Sequence, residues 1–203
     1  MAEKGWEMRY FLLICLAAMQ VHGVVRAQAA ECRQGEPASR REIADTFQVE
    51  GLPALPYRQV VVGAELPGKF DIVLFLHGAG ERGTDNEQHL VFGYAPMVEF
   101  CVENRIKAVL LFPQCPPRRQ WSAIRIPERD PTLTPEPEPP LAAAVALLQV
   151  KRGEFEIGRT YAVGISMGGY GVWDALARYQ GLFSAGVAGW RCAAAGIRSM
   201  RSV

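Results

Sequence analysis

The chain has 203 residues, 49% of them hydrophobic and 21% charged, with a net charge of +1. That is enough chain for one domain with a real core, and the composition excludes intrinsic disorder. The near-zero charge lacks the basic footprint of a nucleic-acid-binding protein.

Tyr10 to Met19 is an apolar run much too short to span a bilayer. Lys4 and Arg9 precede it, and Ala27-Gln28-Ala29 follows with the small-x-small pattern that signal peptidase reads. Residues 1–29 are therefore expected to be a secretory signal peptide, cleaved after Ala29. Glu3 and Glu7 dilute the basic start, and initiation at Met8 would give a cleaner one. The mature product is expected to be secreted or periplasmic, with no stable membrane span and no net charge. Cys32, Cys101, Cys115 and Cys192 remain in a compartment that permits disulfides. Four cysteines allow three pairings, and the sequence does not choose among them. Their spacings contain no CxxC pair, so neither a metal nor a cofactor is expected.

Residues 30–55 form a polar lead with weak periodicity. Tyr57–Val62 reads as a strand closed by Gly63 and a Pro67-Gly68 turn. Phe70–Leu76, Ala108–Phe112 and Thr160–Ile165 are continuous apolar runs, the signature of parallel strands buried on both faces. Helical patterns lie around Asn86–Val102, Leu141–Val150 and Tyr170–Tyr179, the second started by Pro139-Pro140. Between 126 and 140 stand six prolines, which predicts an extended surface loop. Strands alternating with helices predict an α/β fold with a mostly parallel sheet and helices on both faces.

The chemistry centres on Gly164-Ile165-Ser166-Met167-Gly168, a G-x-S-x-G between an apolar strand and a helix. A nucleophilic serine must project from a sharp strand-to-helix turn, and small neighbours allow that backbone geometry. Acyl transfer also needs two N–H donors for the developing oxyanion. Met167, after the nucleophile, would supply one. Ala79 or Gly80, in the His77-Gly78-Ala79-Gly80 loop that ends an earlier strand, would supply the other. His77 is expected to brace that loop. His89 reads as solvated or packed, Asp174 as poorly placed for a triad acid, and Glu81 with Arg82 as paired or hydrogen-bonded within the loop.

Three blocks in order, Leu76–Asn86 (LHGAGERGTDN), Phe112–Pro116 (FPQCP) with Trp121, and Gly164–Tyr179 (GISMGGYGVWDALARY), resemble one family. It is the predicted peptidase and esterase branch of the α/β-hydrolases, similar to dienelactone hydrolases, phospholipase/carboxylesterases and polyhydroxybutyrate-depolymerase-like feruloyl esterases. The resemblance spans about Leu55 to Gly186. It implies an α/β-hydrolase domain over 56–186, Ser166 as nucleophile, and Ala79 and Met167 as oxyanion donors. Gly80 and Trp121 would lie toward the substrate, although Trp121 reads equally well as an aromatic packed under a loop. The implied substrate is a small-molecule or polymeric ester. A serine peptidase of the same fold and a non-catalytic secreted binding protein are the alternatives, because function resides in the site and not in the fold.

In that fold the triad runs Ser, then acid, then His. After Ser166 this sequence has Asp174 and no histidine, for the three histidines stand at 22, 77 and 89. Residues 187–203 depart from the family pattern: they contain Arg191, Arg198 and Arg201 and no acid. The expectation is a fold truncated at its C-terminal end by a frameshift or truncation near residues 186–190, giving an inactive or incomplete hydrolase. A short natural variant with an odd tail is the alternative.

Overall fold

The computed structural model describes residues 36–123 and 134–189. The expected signal peptide, Cys32, Cys192 and the tail from residue 190 lie outside the described residues. In chain order the elements are strand β1 (Arg40–Phe47), β2 (Leu55–Val62), β3 (Phe70–Leu76), helix α1 (Tyr94–Glu103), β4 (Ala108–Pro113), α2 (Pro139–Glu154), β5 (Ile157–Ile165), α3 (Met167–Arg178) and β6 (Ala185–Gly189). Short 3-10 turns cover Ala79–Glu81 and Gln88–Leu90.

The six strands form one sheet in the order β1-β2-β4-β3-β5-β6. Strands β4, β3, β5 and β6 run parallel, while β1 on β2 and β2 on β4 are antiparallel. The apolar runs divide by period two, since successive side chains in a strand point to opposite faces. Ile72, Leu74 and Leu76 of β3 join Leu141, Ala144, Val172 and Ala175 of α2 and α3 in one core layer. Val73 and Phe75 join Met97, Val98 and Cys101 of α1 in the other. Helices thus cover both faces, and the central strands are buried throughout, as their unbroken apolar sequence requires.

Three elements differ from the sequence expectation. Strand β1 lies inside the polar lead, paired with β2 along its whole length. Its pattern was hidden because it is an edge strand whose residues are nearly all exposed. Helix α1 begins at Tyr94 and not near Asn86. Asn86 (φ 59°) and Gly93 (φ 85°) are both left-handed, and the Asp85 carboxylate accepts the N–H groups of Glu87 and Gln88. Turn chemistry there overrides the apolar spacing. Strand β6 runs through Gly189, so residues 187–189 of the expected atypical tail continue the sheet.

The fold fixes the position of the site. Strands β3 and β5 are central neighbours, with Leu76 opposite Gly164. The loops after them, carrying His77–Gly80 and Ser166–Met167, therefore emerge side by side at the carboxyl ends of the parallel strands, the usual place for a site in an open α/β sheet.

Candidate active site

Ser166 stands between β5 and α3 with φ 52° and ψ −116°. An L-residue pays on the order of 1–3 kcal/mol to sit there, so the surroundings must hold it. Its N–H donates to the Gly189 carbonyl at 2.8 Å, and its own carbonyl accepts from the Gly169 N–H at 2.9 Å. The glycines of the motif are sterically required. A Cβ on Gly164 would run into the Gly168 carbonyl, and one on Gly168 into the carbonyl of Leu76 at the end of β3. Farther along α3, a Cβ on Gly171 would come within 2.6 Å of the Trp121 Cβ. Only a glycine-lined helix start can approach β3 so closely. The result is an exposed Ser166 at the tip of a rigid turn.

Met167 is the first residue of α3, so its N–H has no acceptor inside the helix. Ala79 opens the 3-10 turn after β3 and, like Gly80, is exposed. Across this cleft, a Cβ on Gly78 would lie 3.6 Å from the Ser166 Cβ and 2.7 Å from a carboxylate oxygen of Glu81. The two expected donor loops are thus brought together around Ser166. Gly80 differs from Gly78, since a Cβ there would enter open space.

His77 is a brace, as expected. It is 1% exposed. Its Nδ1–H donates to the Gly78 carbonyl at 2.7 Å, and its Nε2 accepts the Cys115 N–H at 2.8 Å. Burial pushes its pKa down to about 4, so the ring is neutral and both nitrogens are engaged. It ties the loop after β3 to the end of β4.

Trp121 is fully buried. Its indole N–H donates to the His77 carbonyl at 3.0 Å, and its ring meets the imidazole edge-on at 5.3 Å. This is the packing role, and it corrects the expectation of a substrate-facing Trp121: no indole surface is left for a ligand.

Gln114, to which the sequence reading gave no role, is buried beneath the same loop. It accepts the Asn86 N–H at 2.8 Å and donates to the Asp85 carboxylate at 2.8 Å and, more weakly, to the Glu81 carbonyl at 3.4 Å. A Cβ on Gly83 would meet its amide nitrogen at 2.5 Å. Gln114 and His77 together set the path of residues 77–86 from below. The signal was present in the Phe112–Pro116 block, but a buried amide is indistinguishable in sequence from a surface one.

Glu81 and Arg82 do not pair with each other. Glu81 turns its carboxylate toward Gly78, while Arg82 reaches Met167, with Nη2 at 3.1 Å from Sδ. His89 is 1% exposed in a 3-10 turn, its ring 6.1 Å from that of His77. Neither of its ring nitrogens has a hydrogen-bond partner of good geometry, and burial lowers its pKa to about 4. Asp174 is buried on α3, accepting from the Ser122 hydroxyl at 2.7 Å and pairing with Arg178. Its carboxylate is taken up by these two partners and makes no hydrogen bond to Ser166. Cys101 and Cys115 are buried free thiols whose pKa burial raises to about 12. Among the described residues, then, an exposed Ser166 on a sharp turn lies beside the start of α3 and the loop after β3, and no imidazole hydrogen-bonds to Ser166.

No protein-family model matches this sequence, and no curated protein does. Solved structures do. A thermostable esterase is 34% identical with a TM-score of 0.61, the match covering 72% of this chain and 40% of that one. Est1E from Butyrivibrio proteoclasticus is 16% identical with a TM-score of 0.48, covering 71% of this chain and 49% of that one. An acylaminoacyl peptidase from Pyrococcus horikoshii is 16% identical with a TM-score of 0.44, covering 75% of this chain and 23% of that one. The chain thus spans less than half the length of each of these. With the strand order, the elbow at Ser166 and the match to the thermostable esterase in hand, the chain has the fold of the α/β-hydrolase superfamily.

Proposed function

We propose that this chain carries the acyl-transfer half of a secreted serine hydrolase acting on carboxylic esters. The observation that carries the reading is the left-handed Ser166, held between β5 and α3 by glycines that admit no side chain. In the complete reaction Ser166 Oγ attacks the ester carbonyl, and the N–H groups of Met167 and Ala79 receive the negative charge that builds on its oxygen. Collapse expels the alcohol and leaves an acyl-serine for water to cleave. A base must take the hydroxyl proton, and His77 is unsuited to it, with both nitrogens engaged. We therefore take the chain as written to be an inactive or incomplete form. Triad knockouts lose on the order of a million-fold in rate. Secretion rests on the reading of residues 1–29.

The nucleophile-elbow geometry serves amide cleavage equally, and a peptidase remains the second enzymatic reading. The test is to sequence the gene past the codon of Val203 and translate all three frames. An acid followed by a histidine, in a frame joined near residue 186, is the expected result. The joined protein should then hydrolyse p-nitrophenyl esters and lose that activity with Ser166→Ala. Absence of both residues from every frame would replace the hydrolase reading with a non-catalytic one.

A further inference from the structure

Among the described residues Arg82 has no carboxylate partner. Its neighbour Glu81 faces Gly78 instead. Its Nε is buried with no acceptor, and the one partner of its Nη2 is the Met167 thioether at 3.1 Å. A thioether is a weak acceptor, whereas a guanidinium offers five donors in a planar fork. Burying Nε without an acceptor is costly, and the rest of the half-buried fork is open to a further partner. The cation stands at the side chain of the residue whose N–H is an oxyanion donor. Met167 directly follows Ser166 in the chain, so the cation lies on the Met167 side of the Ser166 turn. A carboxylate matches the fork in shape and charge.

We propose that Arg82 anchors an anionic group of the substrate, so that the site accepts esters bearing a carboxylate a few bonds from the scissile carbonyl. This rests on the reading of Ser166 as the acyl-accepting residue. Glu81 is the opposing charge. It disfavours an anion lying over Gly78 and so confines the carboxylate to the Met167 side.

The test needs no turnover. In the full-length chain carrying Ser166→Cys, alkylation of the introduced thiol by iodoacetate and by iodoacetamide is followed by peptide mass mapping, with N-acetylcysteine as the reference. The two reagents differ in charge and hardly in size. The iodoacetate-to-iodoacetamide rate ratio at that thiol should exceed the reference by about fivefold, as expected for one nearby cation in a partly solvated site. Adding Arg82→Gln should abolish the excess, and Arg82→Lys should retain most of it. An unchanged ratio in the folded Arg82→Gln variant overturns the anchor and leaves the hydrolase reading standing. If Arg82→Gln does not fold, protection decides. Monomethyl succinate should slow iodoacetamide alkylation of the introduced thiol while dimethyl succinate at equal concentration does not, and equal protection by both overturns the proposal. Failure of either reagent to reach the thiol would remove the accessible nucleophile, and the anchor with it.

Discussion

Single atoms decide whether the Ser166 turn can form. A methyl group on Gly168 has no room against the Leu76 carbonyl, so Gly168→Ala should cost about 3 kcal/mol or more in urea unfolding. Gly80, two residues past Gly78, faces open space, and Gly80→Ala should change stability by less than about 0.5 kcal/mol. The two buried histidines make stability pH-dependent. Burial holds His77 and His89 near pKa 4, while an unfolded histidine titrates near 6.5. The unfolded chain therefore binds more protons between those values, and stability is full above about pH 6.5 and declines as pH falls toward 4. The loss is of order 3 kcal/mol for each ring. His89→Leu removes one of them, a buried imidazole whose nitrogens make no hydrogen bond of good geometry. It should be at least as stable as the parent at pH 7 and lose less between pH 6.5 and 4.5, as urea unfolding at the two pH values would show.

At the scale of elements, α3 both presents Ser166 and clamps the chain that crosses it. Asp174 holds Ser122 on one side, and its partner Arg178 donates to the Pro135 carbonyl and the Thr134 hydroxyl on the other. Asp174→Ala removes a buried carboxylate that holds both the Ser122 hydroxyl and Arg178, and should cost about 3 kcal/mol. Ser122→Ala should cost about 1 kcal/mol. Denaturant titration distinguishes these from a surface ion pair, whose loss would be near zero. The four inner strands and α2 were legible in the sequence, because short unbroken apolar runs suit strands buried on both faces and a Pro-Pro pair suits the first turn of a helix. Strand β1 was not, because an edge strand buries too little to impose a pattern. The start of α1 was not, because left-handed Asn86 and Gly93 stop a helix that apolar spacing alone would extend. Within the site, the sharp turn at Ser166, the neighbouring loop after β3 and the bracing role of His77 could be read from motif and order. The choice between the two readings of Trp121, the Gln114 network and the surroundings of Arg82 could not, because they depend on which loops cross in space.

In the molecule as a whole, the sheet edges are unlike. Strand β1 presents Arg40, Arg41, Glu42 and Asp45, and such charge keeps an edge from pairing with another chain. Strand β6, Ala185–Gly189, has no charged residue, and among the described residues its outer edge has no partner. Self-association through β6 should therefore appear as light scattering that rises with protein concentration. In the proposed function Ser166 is the nucleophile, and among the described residues no imidazole hydrogen-bonds to it to serve as base. The most direct test of this reading is p-nitrophenyl butyrate hydrolysis by the full chain beside Ser166→Ala, both folded by circular dichroism. Equal rates are expected, both at the uncatalysed background. Turnover in the parent that Ser166→Ala abolishes would contradict it.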